Sequence, residues 1–191
     1  SMAVMALRGV VVGIDAHAGF DAVQELLHLV PIDAIVIDRA DRLQLLGDAC
    51  PPITIVLSHS GDFLPAGCVD VAKLQQLSVD PNETEWNLAA PDDVALVVFT
   101  SGTTGSAKGI SYRHGQISIA IEAILDAYPD IRSDSHLACW LPLSNLFQRI
   151  VNLCAVKRGA QTFYVSDPHD VMRQLPRIQP TVFIGVPRFF E

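Results

Sequence analysis

Short runs of consecutive apolar, mostly β-branched residues, each followed by a segment of helical periodicity, narrow the fold of this chain more than any other feature. Val10-Val11-Val12-Gly13-Ile14, Ala34-Ile35-Val36-Ile37 and Ile53-Thr54-Ile55-Val56-Leu57 lack the in-and-out alternation of a strand with one wet face. Such continuous runs are typical of parallel strands covered on both faces. Between them, Gly19 to Val30 places Phe20, Val23, Leu26, Leu27 and Val30 on one helical face, with Asp21 in the first turn and Pro31 after the end. A short helix is expected from Asp41 to Gly47. The order resumes with a strand Val94–Phe99, a short strand Gly109–Tyr112 and a helix from about Gly115 to Tyr128 that aligns Ile117, Ile121, Ile124, Leu125 and Tyr128. Strand His136–Trp140, helix Asn145–Lys157, strand Gln161–Val165, helix His169–Arg177 and strand Thr181–Gly185 complete the series. The expected fold is therefore α/β, a doubly wound and mostly parallel sheet with helices on both faces and ligands at the carboxyl ends of the strands.

Three stretches divide the chain: first βα units over residues 1–57, a polar and turn-rich linker region over 58–93 with one weak helix around Val69–Leu77, and further βα units over 94–191. Neither repeats nor low-complexity segments occur.

The loop after Val94–Phe99 carries the chemistry. Thr100-Ser101-Gly102-Thr103-Thr104-Gly105-Ser106-Ala107-Lys108-Gly109 packs glycines, hydroxyls and one lysine into a single turn region. Glycines let backbone N–H groups converge on an anion, hydroxyls add donors to phosphate oxygens, and a lysine adds mobile positive charge. A Walker A loop is excluded by spacing, because Ala107 stands where the second glycine belongs and Gly109 where Ser/Thr belongs. No Gly-x-Gly-x-x-Gly dinucleotide fingerprint is present here or around Gly9–Gly13.

This run, preceded by Phe99, resembles the signature of the adenylate-forming (AMP-binding) superfamily, an aromatic residue followed by Thr-Ser-Gly-Thr-Thr-Gly-x-Pro-Lys-Gly, with Ala107 in place of the usual proline. Trp140-Leu141-Pro142-Leu143-Ser144-Asn145-Leu146-Phe147-Gln148-Arg149 is similar to the Leu-Pro-Leu-x-His-x-Phe segment of the long-chain fatty acyl-CoA synthetase branch. Gly185-Val186-Pro187-Arg188-Phe189-Phe190-Glu191 resembles its Val-Pro-Arg-aromatic segment. Order and spacing of the three blocks agree with the family, while residues 1–93 match in pattern only.

The resemblance implies an ATP-dependent ligase that activates a fatty acid or other carboxylate as acyl-AMP and passes the acyl group to coenzyme A. ATP phosphates would be held by Thr100, Ser101, Gly102, Thr103, Thr104, Gly105 and Lys108, although Lys108 also reads as a plain solvated charge. On the substrate side stand Asn145, Phe147 and Arg188. Asn145 occupies a position where the family usually has histidine, so it keeps hydrogen bonding but loses acid–base capacity; its other reading is a helix N-cap. Trp140 and Phe147 read as core packing rather than acyl contacts. Arg188 reads equally as a salt-bridge partner, and His114 as a capping or supporting residue rather than a catalyst.

Family members run several times longer than 191 residues. The glutamate that helps hold Mg2+, the ribose-binding aspartate, the hinge and the mobile C-terminal domain with its catalytic lysine are expected outside residues 1–191. The chain thus reads as a middle slice of the large N-terminal domain, with no catalytic residue or metal ligand of its own and no turnover expected in isolation. A degenerate or truncated remnant without activity is the rival reading, and a fatty acyl-AMP ligase that hands its product to a carrier protein is another. Composition sets the remaining bounds. A formal net charge of −8 with no basic stripe argues against nucleic acid. No apolar run approaches the ~20 residues of a membrane span. Cys50, Cys68, Cys139 and Cys154 have no metal or redox spacing, which fits reduced thiols and a cytoplasmic chain. Self-association through apolar faces left uncovered is a further expectation.

Overall fold

The computed structural model describes residues 2–58, 64–74, 76, 89–101, 107–186 and 189. In chain order the elements are α1 (Met2–Ala6), β1 (Val11–Gly13), α2 (Phe20–Leu29), β2 (Ala34–Arg39), β3 (Ile53–Ser58), β4 (Cys68–Asp70), α3 (Val71–Leu74), β5 (Val94–Ser101), β6 (Ala107–Arg113), α4 (His114–Ala127), β7 (His136–Cys139), α5 (Leu146–Arg158), β8 (Gln161–Tyr164) and α6 (Val171–Ile178). Tight 3-10 turns occupy Ala40–Leu45, Gly47–Ala49 and Pro168–Asp170. The class is α/β with parallel strand pairing, as the alternating pattern requires. Two compact units are formed, one from residues 1–15, 87–103 and 108–191 and the other from 16–86 and 104–107.

In the smaller unit, β2, β3 and β4 form a parallel sheet in that order. Ile35, Ile37, Thr54 and Val56 are buried, as are Val23 and Leu26 of α2, while Val36, Ile53 and Leu57 are exposed. The apolar runs of β2 and β3 thus have only one covered face among the described residues. The expected weak helix around Val69–Leu77 is instead strand β4 followed by the single turn α3. Val69 is β-branched and pairs with Ile55 of β3, and this long-range ladder overrides the local helical pattern.

In the larger unit, β5 is central, with β1 on one side and β6 on the other. β1 runs parallel to β5, in the register Val11 to Leu96, Val12 to Val97 and Gly13 to Val98. Ala95, Leu96 and Val98 of β5 enter a core with Ile117 and Leu125 of α4 and Ile150 and Cys154 of α5. α4 follows the expected phase, although Tyr128 at its end is exposed. β7 and β8 make a second parallel pair, His136 to Gln161 through Cys139 to Tyr164. The strand expected at Thr181–Gly185 is reduced to one bridge, Leu137 to Val182. Its backbone groups find other partners: Thr181 and Val182 N–H both donate to His136 C=O, and Ile184 C=O accepts from the Trp140 indole.

The entrance of β5 is pinned by Asp93. Its carboxylate accepts from Ala90 N–H at 2.7 Å and from Arg8 Nε and Nη2 at 3.0 and 3.2 Å, and its carbonyl accepts from His114 N–H. These contacts, the Ala90 N–H first and Arg8 second, hold the carboxyl below its ordinary range. A carboxylate depressed on folding contributes stability above its unfolded pKa and loses it as pH falls through the folded value. Thermal melting should therefore show wild type above Asp93→Asn at neutral pH, with the gap closing on acidification; a gap that stays constant in acid would show that the ionised carboxylate contributes nothing.

Candidate phosphate and acyl site

The carboxyl end of β5 brings the chain to the glycine-rich run. Thr100 is exposed near the end of the strand, and Ser101 is its last residue. Gly102, Thr103, Thr104 and Gly105 lie outside the described residues. The chain resumes in β6, beside β5, where Lys108 is exposed and pairs with no carboxylate among the described residues. A methyl group on Gly109 would stand 3.3 Å from the Phe99 ring and from Val97 Cγ1. The aromatic residue that opens the signature and the glycine that closes it are therefore packed against each other across neighbouring strands.

The second block reaches the same end of the sheet. A methyl group on Gly13, the last residue of β1, would stand 3.3 Å from Ser144 Cα and 3.2 Å from Arg149 Nη2. Because Gly13 pairs with Val98, two residues before Thr100, the Leu143–Ser144 turn sits one strand away from the start of the glycine-rich run. Sheet topology alone thus gathers two of the blocks that the sequence keeps thirty residues apart.

Asn145 is the N-cap of α5. Its Oδ1 accepts from Phe147 N–H at 2.9 Å and from Gln148 N–H at 3.2 Å, satisfying two donors that the first helical turn leaves without partners. Phe147 is 52% exposed, so the packing role expected for it does not hold. The same expectation does hold for Trp140, which is 7% exposed, donates its indole N–H to Ile184 C=O at 2.7 Å and stacks on Phe183 at 5.8 Å between ring centres. Phe189 closes the cluster, 4.9 Å from Trp140 and 5.2 Å from Phe183. The third block is thereby tied to the second by aromatic packing, while Arg188 lies outside the described residues. His114 is the first residue of α4. The residue before it, Arg113, donates its backbone N–H to Gln116 Oε1 at 2.9 Å, so His114 is not the cap, and its buried Nε2 makes no hydrogen bond among the described residues.

Two residues beneath the Pro142–Asn145 turn carry roles that no linear motif assigns. Gln148 is fully buried; its Oε1 accepts from Leu141 N–H at 3.3 Å and its Nε2 donates to Asn152 Oδ1 at 3.0 Å. Asn152 Nδ2 in turn donates to the Cys139 sulfur at 3.2 Å. Arg149 is 8% exposed and donates Nε to Leu143 C=O at 2.9 Å. Burial pulls its guanidinium below the ordinary arginine value. The one available signal is positional: a glutamine and an arginine, side by side in the first turns of a helix whose other inward residues are apolar.

The profile of the AMP-binding enzyme family matches residues 1–191. The chain belongs to that family. Among curated relatives it is similar to the human (Homo sapiens) long-chain-fatty-acid–CoA ligase 1, 27% identical over an alignment of 190 residues that covers 91% of this chain and 27% of the ligase. It is 33% identical over 102 residues to fatty acyl-CoA synthetase B of Dictyostelium discoideum, covering 53% of this chain and 15% of that protein. The chain therefore spans about a quarter or less of the length of these relatives. Among solved structures, O-succinylbenzoate coenzyme A synthetase of Bacillus subtilis in complex with AMP superposes with a TM-score of 0.67 at 18% identity, covering 98% of this chain and 45% of that one. The adenylate-forming resemblance carried by Thr100–Gly109 is borne out at the level of family and fold.

The capping geometry generates a direct test. Asn145→Ala should lower stability in urea unfolding by about 1 kcal/mol, and Asn145→Asp, which keeps an acceptor at the helix entrance, should stay near wild type. Equal losses for both would remove the cap from the account of α5.

Proposed function

We propose that the chain is part of an ATP-dependent ligase that activates a long-chain fatty acid as acyl-AMP and transfers the acyl group to coenzyme A, and that it acts in the cytoplasm. The observation that carries this reading is the arrival of Thr100, the exposed Lys108 and the Leu143–Asn145 turn at one end of the β1–β5–β6 sheet. Membership of the AMP-binding family supports it, as do the fatty acyl ligases among its relatives and the AMP held by the Bacillus synthetase.

In this reading the run from Thr100 to Gly105 donates backbone and hydroxyl hydrogen bonds to the β- and γ-phosphates, and Lys108 offsets their charge. A carboxylate oxygen attacks the α-phosphorus, and the bond to the bridging oxygen breaks to release pyrophosphate. The coenzyme A thiol then attacks the acyl carbon, and AMP leaves. Both steps build charge on oxygen, so fixed donors matter more than a base. Asn145 fits this pattern in a restricted way. Its Oδ1 is committed to two backbone N–H groups, which leaves the Nδ2 amide as a donor toward a substrate carboxylate. Mg2+ and the adenine and ribose contacts are assigned to parts of the longer enzyme.

Carboxylate-dependent ATP–pyrophosphate exchange tests the reading, run on this chain beside a version extended through its natural reading frame. The extended protein should exchange and the 191-residue chain should not. Lys108→Ala with Thr103→Ala should cost the extended protein about 100-fold or more, the scale of losing preorganised donors. Absence of exchange in the extended protein would favour an inactive remnant. For the isolated chain, the exposed row of Val36, Ile53 and Leu57 should drive association at high concentration. Sedimentation should detect it for wild type and lose it on Val36→Lys with Leu57→Lys; a wild type that stays monomeric would reject that role for the row.

A further inference from the structure

Arg149 is more than nine-tenths buried, yet among the described residues no carboxylate pairs with it and neither Nη1 nor Nη2 makes a hydrogen bond. Burial strips much of the water from the guanidinium with no compensating charge among the described residues, which costs free energy. The helix position makes matters worse, since Arg149 lies in the opening turns of the thirteen-residue α5, where the helix dipole disfavours cations and favours anions. Its side-chain bond from Nε to Leu143 C=O fixes the plane of the group and leaves Nη1 and Nη2 without a hydrogen-bond partner among the described residues. Nη2 rests over Gly13, where a methyl group would stand only 3.2 Å away, so the glycine makes room for the guanidinium at the carboxyl end of β1. That is the end of a parallel pair at which ligands collect.

We propose that the open edge of Arg149, with the N-terminus of α5 behind it, is a receiving site for a ligand oxyanion. The shared chemistry is a pair of oxygens matched to the Nη1–Nη2 fork, supplied either by a fatty-acid carboxylate or by a phosphate of the nucleotide. The inference deepens the proposed function and rests on it. It adds to the phosphate run a second cation that is held rigidly, whereas Lys108 is exposed. A purely structural arginine would use its Nε bond to prop the Leu143 turn and would need no ligand.

The test uses the 191-residue chain with its arginine side chains labelled with 15N, the Arg149 signals being identified by their disappearance in Arg149→Lys. Pyrophosphate and laurate are titrated separately, and affinities are measured for wild type, Arg149→Gln and Lys108→Ala. The side chain introduced by Arg149→Gln retains an amide that can reach Leu143 C=O, and matching circular dichroism and melting establish that the variant folds. Should it fail to fold, Arg149→Lys takes its place, keeping charge without the fork. The expected result is a shift of the Arg149 resonances with one probe, and about tenfold or greater weakening of that probe in the variant. A response to laurate assigns the edge to the carboxylate, and a response to pyrophosphate assigns it to phosphate. Arg149 resonances unmoved by both probes would overturn the proposal. If pyrophosphate binding is lost in Lys108→Ala but kept in Arg149→Gln, and laurate leaves the Arg149 resonances unmoved, the phosphate reading of the loop stands and the Arg149 inference fails. The reverse pattern keeps the Arg149 site and rejects the role of Lys108.

Discussion

The larger unit depends on the parallel pairing of β1 with β5. Three residues near the amino terminus, Val11 to Gly13, take their backbone partners from residues 96–98. Closing a loop of that length costs chain entropy that grows only slowly with its size, but all of it must be met before the pairing gives anything back. The return comes from apolar burial. Leu96 and Ala95 are essentially inaccessible and share a core with α4 and α5, and Arg8 grips Asp93 just before β5 begins. Residues 16–86 build a sheet of their own within the length of chain that this pairing closes.

From that pairing follows the placement of the Leu143–Asn145 turn. The turn rests on Gly13, and the polar side chains beneath it are engaged from below: Gln148 holds Leu141 N–H, Asn152 holds Gln148, and Arg149 holds Leu143 C=O. Buried amides leave little freedom once each has a partner, so they fix one backbone path where aliphatic packing alone would permit several. Asn145 closes the arrangement from above by capping the helix that carries Gln148 and Arg149. The aromatic cluster of Trp140, Phe183 and Phe189 then secures the far side of the same segment.

Much of the architecture is legible in the sequence because periodicity and burial agree. Leu26 and Val23 in α2, Ile117 and Leu125 in α4 and the apolar strand β5 are inward where the pattern places them. Residues 68–70 and 181–185 escape the pattern because partners distant in sequence decide them: Val69 joins β3, and the Trp140 indole takes the carbonyl of Ile184. For the site, the strings Thr100–Gly109 and Trp140–Arg149 point to the family directly. Arg149 and Gln148 leave only a positional trace, two polar residues in the first turns of α5, because a linear string does not mark a polar residue as buried. For Arg149 the burial comes with the approach of its Nη2 to Gly13 of β1, a contact between residues more than a hundred positions apart.

The contact between Phe99 and Gly109 bears on how such a signature is to be interpreted at all. Its two ends are chosen by space filling, since a ring on one strand needs a missing side chain on its neighbour. A protein that has abandoned ATP would still need both to keep the sheet closed. The ends of the string therefore testify to inheritance of a fold, and only the hydroxyls and the cation between them testify to a living chemistry.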